Sequence, residues 1–162
     1  VIVVDTGPIV ASGFQDDADH EQCVREFARI HQAGRPLLVP SFVAAEASYM
    51  LAKLSGARAE SAFIRLLESG WFRLVDLTDA DLARMAVLVE RYENLPLGAA
   101  DASVVAVAER LRPTEIMTLD IRDFSVVRPT HVKAFTLIPS ETACPFWGCS
   151  LIAAGRLVGG AG

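Results

Sequence analysis

The sequence predicts an α/β sandwich with a mostly parallel central sheet flanked by helices. Three observations predict it. Short apolar runs at 1–4, 37–39, 115–119 and 135–138 alternate with stretches of helical length. The first run, Val1-Ile2-Val3-Val4, shows no polar alternation, as a strand buried on both faces must read. Hydrophobic residues fill 52% of the 162 positions, enough for one core in a chain of one domain's length.

Taken in order, Val1 to Val4 reads as the first strand, closed by a turn at Thr6-Gly7-Pro8. A helix is expected from Asp17 or Asp19 to Ala33, with Cys23, Phe27 and Ile30 on its inner face and Gly34 just past its end. Leu37 to Val39, between two prolines, is the second strand. Ser41 is placed to cap a helix running to about Leu54. The next helix, from about Ala57 to Glu68, sets Ala59, Ala62, Phe63, Leu66 and Leu67 on one stripe. Phe72 to Val75 is a third strand, and Thr78 with Asp81 starts a helix reaching about Tyr92, with Leu82, Met85, Ala86 and Val89 inward. A loop at 94–98 precedes an Ala/Val-rich helix from Ala99 to Leu111, stopped before Pro113. Strands at Glu115–Leu119 and Phe135–Ile138 complete a domain spanning 1–139. Residues 140–162 carry only Glu141 and Arg156 as charges and show no period, so they are expected to be a glycine-rich tail, flexible or packed on a partner.

Composition narrows the function. Fifteen basic against 20 acidic residues give a net charge of −5, unlike a simple electrostatic nucleic-acid binder. An enzyme meeting nucleic acid through metal ions remains compatible, because its carboxylate ligands count as negative. No apolar run is long enough for a membrane span, and the N-terminal segment does not read as a secretory signal. Three cysteines (Cys23, Cys144, Cys149) do not make a disulfide framework, so the expected compartment is a reducing cytoplasm.

Several acids stand where solvated charges are rarely placed. Asp5 ends the first buried strand, Glu46 lies in a small apolar stretch of helix, and Asp101 opens the Ala/Val-rich helix. Asp120 follows the Glu115 strand, with Asp123 three residues on. Each has an ordinary explanation alone. Asp101 suits a helix start, Asp120 and Asp123 suit a turn, and Glu46 could pair with an arginine such as Arg122. Asp5 resists such an account, because a buried carboxylate needs a partner. Clustered carboxylates repel, and hard oxygen ligands select Mg²⁺ or Mn²⁺.

Other chemistries fit less well. Asp5-Thr6-Gly7 matches an aspartic-protease triplet, but occurs once and without the strand-rich halves that such enzymes need. His20 and His31 are separated by about 16 Å along one helix, too far to flank one phosphate. His131 has no companion, Cys144 and Cys149 lack a second ligand pair, and no phosphate-binding glycine loop occurs.

The segments Val3-Val4-Asp5-Thr6-Gly7-Pro8, Pro40-Ser41-Phe42-Val43-Ala44-Ala45-Glu46, Leu97-Gly98-Ala99-Ala100-Asp101-Ala102-Ser103 and Thr118-Leu119-Asp120-Ile121-Arg122-Asp123-Phe124, in that order, resemble a PIN domain. More narrowly, they resemble the VapC-type toxins of bacterial toxin–antitoxin pairs. The resemblance runs from Val1 to about Pro139. It implies a PIN-like three-layer sandwich and a Mg²⁺- or Mn²⁺-dependent endoribonuclease. It further implies a homodimer acting on RNA and silenced by a cognate antitoxin. Asp5, Glu46, Asp101 and either Asp120 or Asp123 would form the acidic quartet. We assign Asp5 and Asp101 as direct metal ligands, Glu46 to a second metal or the water, and Asp120 to the outer part of the shell. Thr6, Ser103 and Thr118 would support them by hydrogen bonds. The alternative is a non-catalytic module whose acidic cleft binds an arginine-rich peptide. A phosphomonoesterase acting on small molecules is a third reading.

Overall fold

Five short strands, all parallel, form one sheet in the order β3-β2-β1-β4-β5: β1 (Ile2–Val4), β2 (Leu37–Pro40), β3 (Phe72–Val75), β4 (Glu115–Met117) and β5 (Thr136–Ile138). The computed structural model describes residues 1–95 and 97–139, so the expected tail at 140–162, with Cys144 and Cys149, lies outside the described residues. β1 is central, and its three residues are fully buried, which accounts for its unbroken β-branched run. From β1 the chain moves outward through β2 to β3, then returns to the other side of β1 for β4 and β5. The order therefore reverses between β1 and β4. In open parallel sheets, the crevice off the carboxyl ends at such a reversal is where ligands bind.

Seven helices are described: α1 (Thr6–Gly13), α2 (His20–Gln32), α3 (Ser41–Ser55), α4 (Ala57–Glu68), α5 (Asp79–Arg91), α6 (Ala99–Leu111) and α7 (Ile121–Val126). α6 packs on α3 and α5 and over β1 and β2, and it is buried from Ala102 to Ala108. That burial explains a helix apolar almost all round.

The structure corrects several expectations. The turn read at Thr6-Gly7-Pro8 is the first turn of α1, because Asp5 caps it and Pro8 sits where no helical N–H is required. Ser41 is inside α3 and makes no capping bond; Pro40 is the flanking residue. The Asp120–Asp123 turn continues into α7. On α5 the inward face is Asp81, Met85 and Leu88, while Leu82 and Val89 are 45% and 41% exposed and Ala86 is also outward. The cause is Asp81. It completes a capping box with Thr78 and pairs with Arg110 of α6, turning an acid toward the core that the apolar pattern places outside. On α4 Phe63 is buried and Ala59 and Leu67 are half-buried, but Ala62 and Leu66 face outward.

Candidate active site

Asp5 is the residue where β1 becomes α1. Its backbone N–H donates to the Met117 carbonyl of β4 at 2.9 Å, so the strand pairing itself fixes its position. The residue is 5% exposed. Its Oδ1 accepts the Thr6 N–H at 2.7 Å, and its Oδ2 accepts the Thr118 hydroxyl at 2.8 Å. Burial, and then the charge of Asp101, push its pKa up to about 7, with Glu46 adding to the effect and the two hydrogen bonds opposing it.

Glu46 comes from α3 and is exposed. It accepts the Thr6 hydroxyl at its Oε2, 2.6 Å away, and forms no ion pair with Arg122. Thr6 thus serves two acids, one through its backbone and one through its side chain. Asp101 stands in the first turn of α6, half-buried, with Oδ2 accepting the Gly98 N–H at 2.8 Å. Burial raises its pKa, as do Glu46, Asp120 and Asp123, while the Gly98 bond opposes the rise. Asp101 is therefore a helix-start residue and also a member of the acidic group.

Asp120 is exposed and caps α7, its Oδ1 accepting the Asp123 N–H at 3.0 Å. Its own N–H donates to the Thr118 hydroxyl oxygen at 2.9 Å. Asp123 is buried; its pKa is raised by that burial and by Asp120, against the opposing charge of Arg122. Both acids bear on Asp101, so the fold gathers Asp5, Glu46, Asp101, Asp120 and Asp123 into one electrostatic group. Ser103 does not support it. Its hydroxyl turns back to the Ala100 carbonyl at 2.6 Å, within its own helix.

The histidines are engaged elsewhere. His20 meets the Ala11 carbonyl, His131 meets the Pro113 carbonyl, and His31 stacks on Trp71. The donors that sequence reasoning missed are the backbone N–H groups of Gly98 and Asp120. Every residue except proline carries such a group, so neither leaves a mark in the sequence.

The donor set fits a hard divalent cation: all the groups offered are oxygens, and among the described residues none of the five acids has an ion-pair partner. No three His, Cys, Asp or Glu side chains among the described residues already form a metal cage.

The mostly parallel sheet that the sequence predicts is all parallel here, and the chain belongs to the PIN domain family, whose model matches residues 2–128. Ribonuclease VapC26 of Mycobacterium tuberculosis (strain ATCC 25618 / H37Rv) is 35% identical over 138 residues, 85% of this chain and 100% of the relative. The crystal structure of Mycobacterium tuberculosis VapC20, described as a sarcin–ricin loop cleaving toxin, matches with a TM-score of 0.62 at 22% identity. That match covers 72% of this chain and 87% of the other, and it shows the shared fold. The VapC-type resemblance drawn from the motifs is borne out.

Proposed function

We propose that the chain is a VapC-type endoribonuclease that hydrolyses RNA phosphodiester bonds with Mg²⁺ or Mn²⁺. The observation that carries the reading is the acidic group at the sheet reversal, whose members form no ion pair among the described residues. A bound divalent cation would supply Lewis-acid stabilisation of the phosphoryl charge and a nucleophilic water. Asp5 and Asp101 would hold it, Glu46 would orient the attacking water, and Asp120 or Asp123 would complete the outer shell. Thr6 holds the Asp5 and Glu46 carboxylates, and Thr118 holds that of Asp5, through the bonds already described.

The reading extends to a toxin restrained by a cognate antitoxin and working as a cytoplasmic homodimer. Exposed Tyr49, Ile64 and Val87 provide apolar surface for such contacts. Cys23 is free and buried, as a reducing compartment permits, and no described helix is long and apolar enough to cross a membrane. The test is incubation of the full chain with RNA, with and without Mg²⁺, followed by mapping of fragment 5′ ends. Cleavage should require the cation and disappear in Asp5→Asn. RNA left intact, with an arginine-rich peptide bound instead, would favour the interaction-module alternative. Turnover of a phosphomonoester with RNA untouched would favour the phosphatase.

A further inference from the structure

We propose that Phe42 is the platform on which an unpaired RNA base stacks beside the bond to be cut; the inference rests on the functional reading above and gives it a specificity residue. Phe42 is the second residue of α3, which starts directly after the last residue of β2. β2 runs parallel to β1, and continuing their register from Val3–Leu38 sets Pro40 level with Asp5. One strand spacing and two residues of chain then bring the Phe42 Cα within about 12 Å of that of Asp5. Side chains on a helix lean toward its N-terminus, which for α3 is the end at the crevice.

Phe42 is 43% exposed, whereas the other described phenylalanines are buried or half-buried. Apolar area left in water does nothing for the fold. Glu46 stands four residues on, hence on the same face of α3 and about 5–6 Å away between Cβ atoms. Ala45, also exposed, is too small to cover the ring. Other accessible aromatic rings are already faced: Lys53 lies over Tyr49 at 6.0 Å, Arg91 over Tyr92 at 5.7 Å, and His31 stacks on Trp71. Among the described residues no ring or cation lies against Phe42. The charge of the crevice says what arrives there. A cation held by the acids draws in a phosphate, and an RNA phosphate brings a base on either side. An unstacked base offers an apolar face to a phenyl ring, while a base inside a duplex has both faces covered. Phenylalanine carries no hydrogen-bonding group on its side chain, so the contact selects for an unpaired base and not for its identity.

The test uses an RNA oligonucleotide that the full chain cuts, with one base at a time removed around the cut. Cleavage is compared for the parent, Phe42→Ala, Phe42→Leu and Phe42→Trp, alongside calorimetric titration with Mn²⁺. In the parent, removing the stacked base should lower kcat/KM about 5- to 150-fold at one position. Phe42→Ala should cut the intact oligonucleotide more slowly by a similar factor and be indifferent to the removal of that base. Phe42→Leu, apolar but without a π face, should stay within a few-fold of Phe42→Ala, while Phe42→Trp should keep both the rate and the dependence on the base. Mn²⁺ affinity should not change in any of them. If Phe42→Ala does not fold, the contrast between Phe42→Leu and Phe42→Trp decides. Phe42→Ala cutting at the parent's rate would overturn the inference, as would a variant that still loses rate when the base is removed. Phe42→Leu matching the parent would overturn it too, leaving an apolar contact of the kind a protein partner makes. A fall in Mn²⁺ affinity together with the rate would mean that Phe42 acts through the placement of α3, and the inference would fail. A parent that takes up no Mn²⁺ and leaves every RNA intact would instead overturn the functional reading, and this inference with it.

Discussion

The Thr6 hydroxyl donates to Glu46 Oε2 at 2.6 Å, joining the first residue of α1 to α3 across 40 positions of sequence. Because Glu46 is exposed, water can replace the lost donor in Thr6→Val. The fold should therefore lose only about 1 kcal/mol. RNA cleavage should fall much further than stability does. Denaturant melts and cleavage rates on the same preparation would check the split; equal, small losses in both would make Thr6 a structural link only.

The pH dependence of stability has a definite sign. Asp5 has a folded pKa of about 7 against an ordinary 3.8. Between those values the folded chain holds more protons than the unfolded one, so stability falls as pH rises. In chelator the loss attributable to Asp5 should be on the order of 4 kcal/mol from about pH 4 to above pH 7. Asp101 and Asp123 are shifted in the same direction. Added Mn²⁺ binds the deprotonated carboxylates and should reverse the trend. Melts from pH 4.5 to 8, with and without the ion, would show the two opposite slopes.

Asp101→Asn removes the charge that acts most strongly on Asp5 while keeping an oxygen for the Gly98 N–H. In chelator the variant should be more stable than the parent by about 1 kcal/mol at pH 8, and Asp5 should titrate lower. Mn²⁺ should stabilise it less than it does the parent. A variant less stable than the parent in both conditions would leave Asp101 as a helix-start residue alone.

The Arg84–Glu109 pair clamps α5 to α6 through two bonds of 2.7 and 2.9 Å, and Glu109 also receives the Thr130 N–H. The arginine bonds hold the Glu109 carboxyl below its usual range, against the effect of burial. Glu109→Ala should cost about 2–3 kcal/mol, since it leaves a partly buried guanidinium unpaired. Glu109 lies roughly 12 Å along the helix from Asp101, so Mn²⁺ affinity should not change. Denaturant melts and calorimetry would separate the two effects.

Arg122 is exposed in the first turn of α7, between Asp120 and Asp123, and among the described residues it has no ion-pair partner. If its charge meets an RNA phosphate, Arg122→Gln should reduce the slope of log affinity against log salt by about 0.7–1. Binding to uncleavable RNA over a range of salt would measure it. An unchanged slope would exclude a phosphate contact.

The strands and most helices were legible because their signals are local: unbroken apolar runs, glycines past helix ends, and a Thr78–Asp81 capping box that forms as read. The acids were legible as residues in costly places. What escaped was relational. Thr-Gly-Pro carries turn chemistry, and only the cap from Asp5 makes it a helix. Asp81 faces the core because Arg110 is on the neighbouring helix, a pairing across 29 positions that α5 alone does not encode. Ser103 and Thr118 were equivalent candidates in sequence. The fold separates them, turning one hydroxyl to its own helix and the other to Asp5.

Of the five strands, β1 precedes the others in the chain, and its neighbour β4 comes only after β2 and β3. Thr118, whose hydroxyl donates to the second Asp5 oxygen, is added 113 residues after Asp5. At 5–20 residues per second that interval is roughly 6 to 23 s. Throughout it β1 has no β4 beside it, and the Asp5 N–H lacks its Met117 partner. A nascent or prematurely ended chain stopping short of β4 therefore carries Asp5, Glu46 and Asp101 without the crevice that gathers them. Completion of β4 is what supplies Asp5 with the Met117 carbonyl and the Thr118 hydroxyl.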